Sequence, residues 1–168
     1  IRRDDWGVPH IYGKTDADVS FGLAYAHSQD DYATLEDVIY ALRGELASIY
    51  GRNFAVNDYY VHLMNYWGMI EERYESDVAD DVKLVCKGYA AGINKFLQDN
   101  PNLKKRSFNK VTAKDIIVGF SHRMPLMFGL DGVLKKLSKE SPPEFIGSSG
   151  DSQEGDFDMM ASNVMAVG

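Results

Sequence analysis

From Asp16 onward apolar residues return every third or fourth position. Val19, Leu23 and Ala26, then Leu35, Val38, Ile39, Leu42, Leu46 and Ile49, keep this spacing, which is the period of a helix with one apolar face. The run predicts two helices, broken or bent between Gln29 and Tyr32, with Gly51 as a C-terminal cap. Ahead of it, Ile1 to Gly13 alternates charged and apolar positions around Gly7-Val8-Pro9. Proline forbids helix there, so this segment reads as short and extended. Between Asn57 and Tyr74, the density of Tyr59, Tyr60, Tyr66, Trp67 and Tyr74 predicts a largely buried helical stretch, since aromatic side chains bring large apolar areas.

A clearer helix follows, with Ser76 available as its cap, Val78, Val82, Val85, Tyr89, Ile93, Phe96 and Leu97 on one face, and Asn100-Pro101 ending it. After the basic loop Lys104 to Lys110, Thr112-Ala113-Lys114-Asp115 has the form of a helix start with an acidic third position. The next helix is apolar almost all round from Ile116 to Phe128, which predicts burial among other elements, and Pro125 must kink or end it. From Lys135 to Asp158 the composition falls to Lys, Ser, Pro, Gly, Asp and Glu, a linker signature. The last residues, Val164-Met165-Ala166-Val167, form an apolar strand whose two faces both need cover. Apart from the N-terminal extended segment nothing pairs with it, so it reads as part of a sheet continued by chain beyond Gly168.

Composition narrows the picture further. At 168 residues with 45% hydrophobic and 12% aromatic content, the chain has enough apolar material for a core. The net charge of −7, with no basic run longer than Lys104-Lys105-Arg106, argues against nucleic acid or an anionic membrane as partner. No window approaches the ~20 apolar residues of a membrane helix. The chain starts at Ile1 without an apolar signal core, so a targeting segment removed earlier is one reading of its start and a chain cut there is the other. The single cysteine, Cys86, lies on an apolar helix face, where a free thiol usually behaves as a small hydrophobe.

Chemistry concentrates at Ser162. A serine that follows a cuttable spacer and opens a strand becomes, after cleavage of the Ala161–Ser162 bond, a residue carrying both a hydroxyl nucleophile and its own amine as base. On its own, a serine there is more often an ordinary strand-start residue bonding nearby backbone.

The wider sequence decides between these readings. Gly7-Val8-Pro9-His10-Ile11-Tyr12, Phe21-Gly22-Leu23-Ala24-Tyr25-Ala26-His27-Ser28-Gln29-Asp30-Asp31, Arg43-Gly44-Glu45, Gly88-Tyr89-Ala90-Ala91-Gly92-Ile93-Asn94 and Ser162-Asn163 together resemble the penicillin acylase family of N-terminal-nucleophile hydrolases. The blocks are in the family's order and spacing, and look closer to the acyl-homoserine-lactone and aculeacin acylases than to the penicillin G acylases. The resemblance implies an α+β fold, the mostly helical alpha-subunit portion of an αββα sandwich. It also implies three parts: a helical alpha-subunit region over 1–134, a processing spacer over 135–161, and the start of a beta subunit at 162–168.

A self-processing amide hydrolase follows from the resemblance, cut between Ala161 and Ser162, with Ser162 as nucleophile and a beta subunit from the same precursor as partner. Its substrate would be a small acyl amide, such as an acyl-homoserine lactone or a beta-lactam antibiotic, and its place the bacterial periplasm. Ala161 departs from the glycine usual in the family. Placed by Asp115, the last helix brings Met124 and Phe128 onto the family's acyl-pocket positions, although both also suit an ordinary apolar core. No cofactor is implied. The family's calcium position falls on Leu134 with Asp131 the nearest carboxylate, too little oxygen for a site, so no metal ligand is expected. His10, His27, His62 and His122 lack metal spacing, and the two in family blocks look structural. Asp30, Asp31, Glu36 and Asp37 read as a solvated or helix-pairing face, and Arg43 and Glu45 as a buried pair. The rival to the enzyme is a helical scaffold whose serine is never exposed.

Overall fold

A computed structural model describes residues 1–103 and 110–137. A hairpin of β1 (Arg2–Arg3) and β2 (Pro9–His10) leads into α1 (Asp16–Arg43), α2 (Leu46–Tyr50), α3 (Ala55–Met64), α4 (Tyr66–Asp77), α5 (Asp80–Asp99), α6 (Ala113–Pro125) and α7 (Asp131–Leu137). The strand expected at 164–167 lies outside the described residues. Among those described, no helix is long and apolar enough to cross a membrane.

The hairpin pairs Arg2 with His10 and Arg3 with Pro9 in antiparallel register. Its turn is held by Asp4, whose carboxylate accepts from the backbone of Trp6 at 3.0 Å and of Val8 at 2.9 Å, while Gly7 takes a left-handed φ of 82°. Arg3 ties the hairpin to α1 through a 2.6 Å ion pair with Asp30.

Helix α1 starts in a capping box between Thr15 and Asp18 and ends at Gly44, which adopts φ 69° and donates to the last carbonyls. The break expected near Gln29 to Tyr32 is a kink at Asp31, where φ is −152° and ψ 66°. Gly44 thus closes α1, and Gly51 closes only the five-residue α2. In the first half of α1 the buried residues are Ser20, Gly22, Ala24, Ala26 and Ser28, whereas Val19, Phe21 and Leu23 face outward. The apolar-face expectation fails there because α5 crosses α1 backbone to backbone. A Cβ at Gly88 would lie 2.3 Å from the Ala17 carbonyl oxygen, and one at Gly92 2.3 Å from that of Phe21. Small residues therefore line the crossing, and Ser20 Oγ bridges it by donating to the Val85 carbonyl at 2.8 Å. Below the crossing, Tyr32, Leu35, Ile39, Ile93, Phe96, Leu97 and Val111 close the main core.

Four further expectations change. Ser76 lies inside α4, and α5 starts from Ala79 without a side-chain cap. The turn before α5 is instead fixed by the buried Lys83, whose Nζ donates to the Glu75 carbonyl at 3.0 Å and reaches the Glu75 and Asp80 carboxylates at 3.2 Å. Val82 and Val85 turn outward, leaving Cys86, Ala90, Ile93, Phe96 and Leu97 buried. Glu36 is buried rather than solvated and accepts from the Tyr32 hydroxyl at 3.2 Å. Helix α7 continues to Leu137, past the composition change at Lys135.

The crossing yields a direct test. Gly92→Ala pushes a methyl into the Phe21 carbonyl and is expected to cost about 1–3 kcal/mol in denaturant unfolding. Gly132→Ala, with nothing within 4 Å of its added Cβ, is expected to stay close to wild type. Equal effects at the two positions would contradict the close approach.

Candidate active-site helix

Helix α6 carries the expected acyl-pocket residues, and its first turn is unusually well anchored. Thr112 and Asp115 form the capping box legible in the sequence, with the Thr112 backbone N–H and hydroxyl donating to Asp115 Oδ2 at 2.7 and 2.8 Å. The other oxygen of Asp115 accepts from Arg43 Nε at 2.7 Å, and Asp115 is only 1% exposed. Arg43 also donates to the Lys110 carbonyl at 3.3 Å. The pair therefore joins α1 to α6. It replaces the expected Arg43–Glu45 pair, because Gly44 turns the chain and leaves Glu45 exposed. Beside it the Asn94 amide clamps Val111 from both sides, donating to its carbonyl at 2.7 Å and accepting from its N–H at 3.0 Å.

The second half of α6 has one polar anchor. His122 is buried and its Nε2 lies 3.0 Å from Asn57 Oδ1. The Asn57 amide nitrogen donates to the Ala41 carbonyl at 2.8 Å, so its oxygen is the acceptor and the neutral imidazole carries its proton on Nε2. Next to Asn57, Asp58 accepts from the backbone N–H groups of Leu46 and Ala47 at 2.9 and 2.8 Å and so caps α2. Tyr60 and Tyr66 pack on the His122 ring at centroid distances of 5.4 and 6.3 Å. Burial, reinforced by the Arg123 charge, holds the His122 pKa below the ordinary histidine value.

After Pro125 the backbone loses helical regularity. Leu126 donates only to Arg123, Phe128 takes φ −101° and ψ 23°, and Gly129 takes φ 92°. Leu126, Leu130 and Leu134 pack on the cluster of Leu42, Tyr60, Tyr66 and Val118. The outer side was expected to be buried but is open: Phe120 is 69%, Met124 50%, Met127 58% and Phe128 83% exposed. An apolar run reads alike whether core or partner covers it, which is why the sequence did not separate the two. Met124 thus lies in the last turn of α6 and Phe128 on the irregular segment that follows it, while Ser162 and Ala161 lie outside the described residues. The Arg43–Asp115 and Asn57–His122 links had no local signal, their partners being 72 and 65 residues apart. Among the described residues no three His, Cys, Asp or Glu side chains converge as for a metal. His10 bonds Asp4 at 3.1 Å and His27 bonds the Tyr89 hydroxyl at 2.8 Å.

Residues 1–144 match the model of the family described as penicillin amidase. The chain is 25% identical to an acyl-homoserine lactone acylase PvdQ of Pseudomonas fluorescens over 157 residues, which are 86% of this chain and 20% of that protein. It is 29% identical over 97 residues to a penicillin acylase 2 proenzyme of Pseudomonas sp., covering 58% of this chain and 12% of the relative. With a penicillin G acylase of Escherichia coli the identity is 27% over 113 residues, 65% of this chain and 13% of the relative. The chain therefore spans a fifth or less of the length of these curated relatives. Among solved structures, a thermostable penicillin G acylase from Alcaligenes faecalis matches with a TM-score of 0.63 at 17% identity, over 89% of this chain and 96% of that chain. The mostly helical fold with an extended N-terminal segment, expected from the resemblance, is the fold shared with this neighbour.

His122 gives a pH test. Its pKa is depressed in the folded state, so the unfolded chain binds the proton first as pH falls. The contribution to stability is full above the unfolded value near 6.5 and is lost progressively below it. Between about pH 7 and about pH 5 the unfolding free energy is expected to fall less in His122→Gln than in wild type. Parallel slopes would show that the ring is not buried neutral.

Proposed function

We propose, since this chain belongs to the penicillin amidase family, that it is the alpha-subunit region, spacer and beta-subunit start of a self-processing N-acyl amide hydrolase. In this reading residues 1–134 form the alpha-subunit region, 135–161 the spacer and 162–168 the start of the beta subunit, its partner from the same precursor. The substrate is a small amide of a fatty or aromatic acid, with an amine such as a homoserine lactone or a beta-lactam nucleus as leaving group, and the enzyme works in the periplasm.

The observation that carries the reading is the open apolar segment at the end of α6. Met124 stands exposed in the last turn of the anchored α6 and Phe128 just beyond it, and an acyl group is recognised chiefly by apolar contact. A contiguous exposed apolar face also calls for a covering partner, which the beta subunit supplies.

Processing and catalysis use one hydroxyl. The Ser162 Oγ attacks the Ala161 carbonyl carbon, the peptide nitrogen leaves as the Ser162 amine, and water hydrolyses the resulting ester, returning the hydroxyl. The freed α-amine has an ordinary pKa near 8, so a neutral fraction is present at physiological pH to take the hydroxyl proton, directly or through one water. Attack on the substrate carbonyl then forms an acyl-enzyme, with the proton passing to the departing amine, and water releases the acid. The uncut chain lacks this base. Stabilisation of the oxyanion falls to groups of the beta subunit.

In the complete precursor, Ser162→Ala is expected to abolish both chain cleavage and acyl release, while wild type yields a large fragment whose N-terminal sequence begins Ser-Asn. Intact mass and hydrolysis of long-chain acyl homoserine lactones, penicillin G and glutaryl cephalosporin check the two halves separately. A wild-type chain that stays single supports the scaffold instead, and a correctly cut enzyme inert to all three substrates refutes the proposed substrate class.

A further inference from the structure

Two kinds of contact hold the segment that presents Met124 and Phe128. Leu126, Leu130 and Leu134 rest on an apolar cluster, a contact without direction that permits sliding. The hydrogen bond from His122 to Asn57 is directional, and it is the last side-chain anchor described before Pro125. His122 and Met124 are two residues apart on the helix, hence on nearly opposite faces. His122 is buried and Met124 half exposed, as that geometry requires. The rotation of the helix about its axis at this level is therefore tied to where the imidazole is held.

Asn57 is itself held firmly. Its amide donates to the Ala41 carbonyl, close to the end of α1, and it sits beside the aspartate that caps α2. Beyond His122 the backbone offers little resistance to rotation, with proline at 125, an irregular Phe128 and a left-handed Gly129.

The geometry points to Asn57 and His122 as positioning residues for acyl selection: their hydrogen bond sets the direction in which Met124 and Phe128 meet the acyl group. This inference rests on the function proposed above. They act through Met124 and Phe128, so their loss is expected to alter discrimination between acyl groups and to leave the processing chemistry intact.

The test uses the full-length, processed protein and hexanoyl, dodecanoyl and phenylacetyl amides of one amine. Asn57→Leu and His122→Leu are each expected to change the ratio of kcat/KM between these acyl groups by about tenfold, chiefly through KM. His122→Gln, whose amide donates from a similar reach, is expected to keep the ratios within about threefold of wild type. Ile93→Val serves as the comparison: it opens a small cavity in the main core, outside the cluster under this segment, and is expected to lower stability without moving the ratios. Should the leucine variants fail to fold, Asn57→Ser breaks the link with a smaller polar side chain and is read in the same way. Unchanged ratios in an active, processed variant overturn the inference. A processed wild type that hydrolyses no acyl amide overturns the proposed function, and this inference with it.

Discussion

The ion pair between Arg43 and Asp115 is the contact on which the arrangement of the helices depends. Both groups are withdrawn from water, Asp115 almost wholly, and each has other work: the carboxylate closes the capping box of α6 and the guanidinium holds the Lys110 carbonyl. A buried pair contributes little to stability against a well-packed apolar replacement. Removing one partner, however, strands a charge in a poor solvent. The chain therefore has few ways to place the start of α6 other than against the end of α1. From that starting point the direction of everything later in α6 follows, including the segment bearing Met124 and Phe128.

Other supports add to this one. Gly88 and Gly92 let α5 lie directly on α1, which brings Asn94 within reach of Val111, so the residue just before the capping box is held by α5 while Asp115 is held by α1. Three helices thus meet at the start of α6, and the His122–Asn57 bond adds a fourth point two turns on. The result is a rigid frame on one side and an open apolar face on the other. Burial stops where the frame stops, at Phe120, Met124, Met127 and Phe128.

Features set by neighbours in sequence were legible before the structure was known. The Thr112 and Asp115 cap, the stop at Pro125, the kink at Asp31 and the extended start around Pro9 are all dictated within a few residues. Features set across the fold were not. Arg43 was recognisable as a buried charge, yet its partner lies 72 residues away, and the nearer Glu45 was the obvious wrong choice. The burial of Ser20, Gly22 and Ala24 in place of Val19 and Leu23 reflects an interhelical distance that no hydrophobic pattern encodes. Ser76 carried a good capping side chain, but α4 runs on through it to Asp77. At the site, Met124 and Phe128 came from family resemblance, and only the structure separated their exposed positions from the buried Val118 and His122 on the same helix.

A double-mutant cycle on Arg43 and Asp115 measures the central contact most directly, by denaturant unfolding of wild type, Arg43→Met, Asp115→Leu and the double variant. Each single change is expected to cost about 3–5 kcal/mol, and the double change less than their sum by about 1 kcal/mol or more, since no charge is then left stranded. The lost capping box weighs equally on the single and double aspartate variants and cancels. Costs that add to within about 0.5 kcal/mol would show the two residues to be independent and would contradict this account of how α6 is placed.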